Sequence, residues 1–364
     1  MSIGGGIESV DDAQLHPVAQ TGSHVGTSAG GSEAEYPAVA ILSGSDEPDL
    51  DSLIELYRSM LTIRRFEENV FDLYGRAEIV GIAHVSIGQE AVPVGVCSSL
   101  MQADYVTSTH RGHGHCIAKG ADLTKMFAEL LGRVGGYCGG KGGSMHVADV
   151  ESGNLGANAI VGGSLGIATG AALSAKTRRS GQVVACFFGD GAVNQGLLLE
   201  TLNLAGLWNL PCIYVCENNQ YCEYIASSKV TSGSIVDRGA AFGIPTVAVD
   251  GMNVLDVRRA ANWAAARCRR GEGPAMLVCE TYRFYGHGMS DRDRPYRTRE
   301  EEAAWRARDP LAGLARYVNE TYQVDVHQLP IDSEVSAEVA EARRSALLQP
   351  YPDPAEVATN VYCS

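Results

Sequence analysis

Uniformly apolar runs alternate with amphipathic segments through the middle of the chain, and this alternation predicts the fold. The runs occupy residues 183–188 and 212–216, and the segments 246–249 and 275–280 continue the pattern with one polar residue each, Thr246 and Glu280. Segments with helical periodicity separate them, at about 194–208 and 254–269. Such strands and helices are typical of an α/β fold, in which helices cover both faces of a parallel sheet. In such a sheet, ligands bind beyond the carboxyl ends of the strands.

Helical patterns flank this region on both sides. Asp51 or Ser52 is placed to cap a helix that runs to about Tyr74, because apolar residues recur at helical spacing between them. A glycine-rich segment, 81–170, follows this helix. From Thr298 onward the chain is charged and helical, with breaks at three prolines. These prolines are Pro310, Pro330 and Pro350.

The acidic charge of the chain is concentrated at its beginning. The formal net charge is −14, and residues 1–57 hold ten Asp and Glu but no Lys or Arg, so they account for −10. The remainder, −14 minus −10, is −4, so we expect no basic face and no nucleic-acid partner. Residues 1–48 are rich in Gly, Ser and Ala and resemble neither a signal peptide nor an Arg-rich transit peptide. We therefore predict a disordered acidic extension at 1–48 and a folded domain at 49–364, helical in its C-terminal part.

Cysteine usage indicates the compartment. The ten cysteines include no C-x-x-C pair, and Cys186, Cys212, Cys216 and Cys279 lie in the apolar runs. This pattern predicts buried, reduced thiols, no zinc site and a cytoplasmic location. The uncharged stretch 159–175 is short and dominated by Gly, Ala and Ser. It favours a closely packed core helix over a membrane span, so we expect no membrane association.

Polar residues follow two of the apolar runs at the point where each run ends. Asp190 lies between Gly189 and Gly191, and Asn219 follows the next run. The glycines expose main-chain N–H groups before a helix, which suits phosphate, and a carboxylate beside phosphate requires a cation. Magnesium is the expected ion, because it binds a few protein oxygens together with phosphate oxygens. The pattern therefore predicts a metal and diphosphate site.

Gly189-Asp190-Gly191 followed by Asn218-Asn219 resembles the thiamine diphosphate motif. From about Leu50 to the C-terminus, the sequence is similar to the alpha subunits of pyruvate, branched-chain 2-oxo acid and acetoin dehydrogenases. The resemblance implies that the 49–364 domain has the thiamine-diphosphate-binding fold and binds thiamine diphosphate with Mg²⁺. The other shared motifs are Ile87-Gly88-Gln89-Glu90-Ala91, Gly140-Lys141-Gly142-Gly143-Ser144-Met145-His146, Asn194-Gln195-Gly196 and Tyr296-Arg297-Thr298-Arg299.

Carried over position by position, the resemblance implies how the cofactor is held. The Asp190 carboxylate, the Asn219 side chain and the Tyr221 carbonyl would ligate Mg²⁺. The main chain of Gly191 and Ala192 would face the diphosphate.

More distant parts of the sequence are expected to complete the cofactor site. By the same resemblance, Arg111 would donate to the diphosphate as a fork. The main chains of Ala159 and Val161 would contact the aminopyrimidine. The cofactor would therefore be held by four separate segments of the chain.

Three histidines are the candidate catalytic residues. The resemblance implies that His287 lies near the reactive carbon, where it orients or shuttles a proton, and that His84 lies in the substrate channel. His110 precedes Arg111, at a position where mammalian-type pyruvate enzymes carry tyrosine. A histidine there could help deprotonate the hydroxyl of acetoin, so that acetaldehyde leaves where pyruvate would release carbon dioxide.

The resemblance also implies partners. In this family a beta subunit supplies the glutamate that activates the cofactor, so we expect an α2β2 heterotetramer. It would work with a lipoyl-bearing dihydrolipoyl acyltransferase and a lipoamide dehydrogenase. Segments 108–120, 145–149 and 155–158 resemble acetoin dehydrogenases and favour acetoin as the substrate, whereas 287–291 and 296–299 resemble the pyruvate enzymes. Branched-chain 2-oxo acid dehydrogenase, a transketolase-like enzyme and a non-catalytic scaffold subunit remain as alternatives.

Two glycine-rich segments resemble nucleotide-binding loops but fail in detail. Residues 139–144 have Gly142 where a phosphate loop requires Ser or Thr after the lysine. Residues 162–166 lack the G-x-G-x-x-G spacing of a dinucleotide fingerprint. Neither segment supports binding of ATP or NAD.

Overall fold

The structure, a computed structural model, describes residues 48–79 and 81–359. The predicted extension, 1–48, lies outside the described residues except for Pro48. The strands are β1 (Tyr105–Thr107), β2 (Val184–Gly189), β3 (Cys212–Asn218), β4 (Tyr221–Cys222), β5 (Ile225–Ala226), β6 (Thr246–Asp250) and β7 (Ala275–Glu280). The helices are α1 (Leu50–Gly75), α2 (Ala91–Cys97), α3 (Gly112–Ala118), α4 (Leu123–Leu130), α5 (Gly163–Arg178), α6 (Gly196–Leu207), α7 (Ile235–Ala240), α8 (Val254–Arg269), α9 (Arg299–Arg306), α10 (Pro310–Tyr322) and α11 (Ile331–Leu347).

The predicted parallel sheet is confirmed. Five strands pair in the order β1-β2-β3-β7-β6, and every pair is parallel. All four apolar runs form strands of this sheet. The added strand, β1, is three residues long and pairs with β2, which makes it too short to show a run of its own.

Helices cover both faces of the sheet, as predicted. Ala185 and Phe187 of β2 pack in one cluster with α2 and α8, whereas the alternate residues Cys186 and Phe188 pack in another cluster with α5 and α6. Because successive side chains of a strand point to opposite faces, two covered faces require a strand that is apolar throughout. A third cluster joins α1 to α4, α10 and α11.

The ends of two helices differ from the sequence prediction. Asp49 caps α1, since its side chain accepts a hydrogen bond from the Ser52 main-chain N–H at 3.0 Å, so the predicted caps Asp51 and Ser52 lie inside the first turn. The predicted helix at 194–208 is shorter: a 3₁₀ turn spans Asp190–Asn194, and α6 begins only after the extended residue Gln195. The Pro310 break is the first residue of α10, where proline fits the helix.

The predicted core helix at 159–175 corresponds to α5, which begins later and is buried on one side only. Leu165, Ala168 and Ala172 face the sheet, but Ile167 and Leu173 are exposed on the other side. The uncharged residues of this stretch therefore form both the buried side of α5 and an exposed side. No helix in the described residues has the length and apolar character needed to cross a membrane.

The cysteines of the described residues are free thiols, as predicted. Seven of the nine are buried, including the four that lie in the apolar runs. Burial raises the pKa of these thiols, to about 12 for Cys186, because the thiolate would lose its hydration. They therefore pack as small apolar side chains.

Candidate functional site

A cavity of about 390 Å³ opens at the carboxyl ends of β2 and β3. The parallel register sets Gly189 beside Glu217, so the residues that follow the two strands meet at one edge of the sheet. All eleven residues singled out from the sequence line this cavity. They are His84, His110, Arg111, Ala159, Val161, Asp190, Gly191, Ala192, Asn219, Tyr221 and His287.

Asp190 holds a buried carboxylate that this chain satisfies only in part. Its Oδ1 accepts a hydrogen bond from the Gly191 main-chain N–H at 3.0 Å, but its Oδ2 has no partner among the described residues. Burial raises the pKa of Asp190 to about 6, while the Gly191 N–H and Arg283 act in the opposite direction. A cation at Oδ2 would supply the missing contact and stabilise the ionised form.

Asn219 lies on the turn that follows β3, and Tyr221 begins β4 directly after this turn. The Asn219 side chain donates to Gln89 Oε1 at 3.1 Å, and its Oδ1 accepts from the Tyr221 main-chain N–H at 3.3 Å. Glu280, at the end of β7, accepts hydrogen bonds from the side chains of Asn218 and Gln220. The turn is therefore anchored on both sides of Asn219, with Gln220 in the left-handed region at φ 73°.

Four residues whose main chains were expected to contact the cofactor also line the cavity. Gly191 and Ala192 belong to the 3₁₀ turn that follows β2, close to the amino end of α6. Ala159 and Val161 lie in the loop before α5, and Val161 is 53% exposed beside Ile160, which is 71% exposed. This loop forms part of the cavity and also presents apolar side chains outward.

Arg111 is a buried cation with no carboxylate partner among the described residues. It lies just before α3 and is 3% exposed. Its Nη1 donates to the Val85 carbonyl at 2.9 Å, and its Nη2 donates to the His287 carbonyl at 2.7 Å. Burial, and then the neighbouring Arg283, lower the pKa of Arg111 to about 9. Its predicted role as a fork for the diphosphate stays a prediction, because both amino groups already hold acceptors of this chain.

The three predicted catalytic histidines form one cluster. The ring centroid of His84 lies 4.7 Å from that of His110 and 4.9 Å from that of His287. Burial and then Arg111 lower the pKa of His84 and of His287 to about 3 each, and lower the pKa of His110 as well. All three imidazoles are therefore neutral at pH 7.

The three histidines have the spacing of metal ligands, but the charges around them disfavour a metal ion. The nearest ring nitrogens of the three residues lie within 4.8 Å of one another. The Arg111 and Arg283 guanidiniums both approach His287, and two buried positive charges oppose a divalent cation there. The buried oxygen in this cavity that has room for a cation is instead Asp190 Oδ2, which has no partner among the described residues.

Sequence reasoning missed several residues of the cavity. Arg283 is 1% exposed and lines the cavity, yet only its place four residues before His287 could have signalled it. Glu217 lines the cavity and contacts His115 Nε2 at 3.2 Å, while His115 Nδ1 bonds the Ser108 hydroxyl at 2.7 Å. Gln89 belongs to a shared motif, but its contact partner Asn219 is 130 positions away in the sequence, so no local sequence pattern could indicate the contact.

The rejected phosphate-loop resemblance has a structural explanation. The Glu129 carboxylate, 1% exposed, accepts four main-chain N–H groups, from Cys138, Gly140, Gly142 and Gly143, at 2.7 to 3.0 Å. The glycines thus wrap an internal carboxylate, much as such loops wrap a phosphate.

The chain is similar to a known protein family and to several named proteins. A family model described as dehydrogenase E1 component matches residues 58–355. The chain is 46% identical to the alpha subunit of acetoin:2,6-dichlorophenolindophenol oxidoreductase of Bacillus subtilis, over 85% of this chain and 93% of that protein. Identity to the protein of the same name from Cupriavidus necator is also 46%, over 87% of this chain and 96% of that one. Pyruvate dehydrogenase E1 component subunit alpha of Zymomonas mobilis is 41% identical, over 88% of this chain and 91% of that one. The chain therefore belongs to the dehydrogenase E1 component family.

Proposed function

We propose that the chain is the alpha subunit of a thiamine-diphosphate-dependent dehydrogenase that cleaves acetoin and transfers the acetyl group to lipoamide. The observation that carries the proposal is the pairing, in one cavity, of an unpartnered Asp190 carboxylate oxygen with three neutral histidines. The first feature suits a metal-bound diphosphate and the second suits a neutral, oxygen-bearing substrate. The 46% identity to acetoin oxidoreductase alpha subunits supports acetoin.

The residues present fit thiamine diphosphate and Mg²⁺. Asp190 Oδ2 is buried without a partner among the described residues, and Asn219 Oδ1 and the Tyr221 carbonyl are the oxygens expected beside it. A Cβ added at Gly189 would meet nothing within 4 Å, and one added at Gly191 would meet only Cys222 at 3.5 Å or more, so both glycines border open space. When bound, thiamine diphosphate supplies a nucleophilic carbon and an electron sink for cleaving a bond next to a carbonyl.

His110 is the residue that we assign to the hydroxyl of acetoin. Its Nε2 is buried and has no hydrogen-bond partner among the described residues, and its lowered pKa keeps the imidazole neutral, so an unprotonated ring nitrogen is present to interact with a hydroxyl proton. Deprotonation of the hydroxyl forms the carbonyl of the departing acetaldehyde as the C–C bond breaks. A tyrosine at this position would be a far weaker base in its neutral form.

A beta subunit is expected to cover the outward apolar surface next to the cavity. We call this surface the apolar docking face. It consists of the exposed side chains of Ile160, Val161, Ile167, Leu173, Leu199 and Leu207. Because α5 and α6 carry this face and the loop before α5 lines the cavity, a protein bound there would also close the cavity and could add its own catalytic groups. We expect an α2β2 assembly that acts with a lipoyl-bearing acyltransferase and a lipoamide dehydrogenase.

Pyruvate is the second candidate substrate. The identity to a pyruvate dehydrogenase alpha subunit, 41%, is only slightly lower than that to the acetoin oxidoreductase subunits. Arg297 belongs to the motif shared with the pyruvate enzymes, and it donates to the Arg283 carbonyl at 2.8 Å, which helps to fix the cavity wall.

The substrate preference can be tested by dye-linked kinetics. Values of kcat/KM should be measured on acetoin, pyruvate and 3-methyl-2-oxobutanoate for the chain reconstituted with its beta subunit, with the chain alone as control. We expect acetoin to be preferred and the lone chain to be inactive. Preference for pyruvate with acetoin inert, or turnover by the lone chain, would contradict the proposal.

A further inference from the structure

Arg283 is a buried guanidinium that the proposed function leaves without a task. It is 1% exposed, and no Asp or Glu among the described residues forms an ion pair with it. Its Nη2 donates to the Glu223 carbonyl and to the Tyr296 hydroxyl, and its guanidinium lies 5.7 Å from the Tyr221 ring centroid. Burying a cation without a carboxylate is costly, so a specific use is expected.

The guanidinium of Arg283 reaches the ring of His287. Arg283 Nη1 lies 3.5 Å from His287 Nδ1, and Arg111 Nη2 lies 3.3 Å from the same nitrogen. A guanidinium has N–H donors and no acceptor. Both contacts are therefore hydrogen bonds only if Nδ1 carries no proton and offers its lone pair.

Main-chain contacts hold His287 in this orientation. Its N–H donates to Asp291 Oδ2 at 2.8 Å, and its carbonyl accepts from Arg111 Nη2 at 2.7 Å. Asp291 also accepts from the hydroxyl of Tyr296, which in turn receives a hydrogen bond from Arg283. The loop, the tyrosine and both arginines thus form one connected network around Nδ1.

We propose that Arg283, together with Arg111, fixes the tautomer of His287 with its proton on Nε2. His287 then presents an N–H donor to the cavity and cannot act as a base through Nε2. The sequence left two roles open for His287, orienting a group or shuttling a proton, and this tautomer favours the first. His287 would donate a hydrogen bond to a substrate oxygen, while His110 would exchange the proton. The low pKa of His287 agrees, because an added proton at Nδ1 would face two cations.

The tautomer is measurable without turnover. The full chain, assembled with its beta subunit and labelled with ¹⁵N-histidine, is studied by solid-state NMR at pH 7, and the His287 signals are assigned from a His287→Gln sample. We expect an unprotonated Nδ1 and a protonated Nε2, in about tenfold excess or more over the other tautomer. A His287 with its proton on Nδ1, or on both nitrogens, would overturn the proposal.

Variants isolate the part played by Arg283. In Arg283→Met the Nδ1-protonated share of His287 should rise at least severalfold, whereas Arg292→Met, an exposed arginine of the same loop, should leave it unchanged. If Arg283→Met does not fold, Arg283→Lys keeps the positive charge but loses the planar fork, and the same rise is expected. An unchanged ratio in a folded Arg283 variant would remove Arg283 from the proposal. The role of His287 in catalysis rests on the proposed function, but the position of its proton does not. An enzyme that has the Nε2-protonated His287 and is inactive on acetoin would therefore reject only the proposed function.

Discussion

Replacing Asp190 by Asn should stabilise the cofactor-free chain while removing the proposed metal ligand. The folded chain holds this carboxyl with a pKa of about 6, against an ordinary value of 3.8, because the charge is buried and Oδ2 has no partner among the described residues. The difference is about 2 pKa units, and at 1.36 kcal/mol per unit the ionised carboxylate costs about 3 kcal/mol of unfolding free energy at pH 7. The substituted amide would be uncharged and would avoid this cost.

The sign of the pH dependence follows from the raised pKa. The stability linked to Asp190 is fully present below pH 3.8 and is lost as the pH rises through about 6. The advantage of Asp190→Asn should therefore shrink from about 3 kcal/mol at pH 7 to about 0.5 kcal/mol at pH 4.

Urea unfolding of the purified chain in EDTA, at several pH values, measures this difference. Asp293→Asn, which changes an exposed carboxylate, serves as the matched control and should have little effect at any pH. With Mg²⁺ and thiamine diphosphate present, the order should reverse, because only the wild type gains binding free energy. A less stable Asp190→Asn chain in EDTA at pH 7 would refute the reasoning.

Three further substitutions test separate parts of the account. Glu129→Gln places an amide among four main-chain donors and should lower the unfolding free energy by about 2–4 kcal/mol. Urea unfolding against the exposed control Glu338→Gln measures this change, and an unchanged midpoint would contradict the interpretation that the glycines wrap the Glu129 carboxylate. His110→Tyr should lower the ratio of kcat/KM for acetoin to that for pyruvate by about tenfold or more, and an unchanged ratio would remove His110 from substrate choice. Ile167→Asp, in the apolar docking face, should weaken assembly with the beta subunit by about tenfold or more in analytical ultracentrifugation, without changing the stability of the chain; unaffected assembly would place the interface elsewhere.

The fold was predictable from the sequence because its signal is local. Strands buried on both faces must be apolar throughout, so the runs that form β2, β3 and β7 could be identified directly. Helix ends were less predictable, since Asp49, Asp51 and Ser52 can all serve as caps and only the geometry decides. The exposed side of α5 was missed because an uncharged, apolar exposed surface has the same composition as a core.

The site was predictable in part. Asp190 and Asn219 follow neighbouring strands, so sheet geometry brings them together, and the resemblance supplied the residues from other loops. Arg283 and Glu217 carried no comparable signal. A buried arginine without a carboxylate partner is recognised only when its surroundings are known, and those come from positions as distant as Arg111 and Glu223.

The central claim is that this chain binds the diphosphate of thiamine diphosphate through a divalent cation at Asp190. Calorimetric titration of thiamine diphosphate into the chain assembled with its beta subunit, with Mg²⁺ or with EDTA, tests it most directly. Binding in Mg²⁺ should be lost in EDTA, and Asp190→Asn should weaken it by about a hundredfold or more. Equal affinity in Mg²⁺ and EDTA, or in the wild type and the Asp190→Asn variant, would contradict the account.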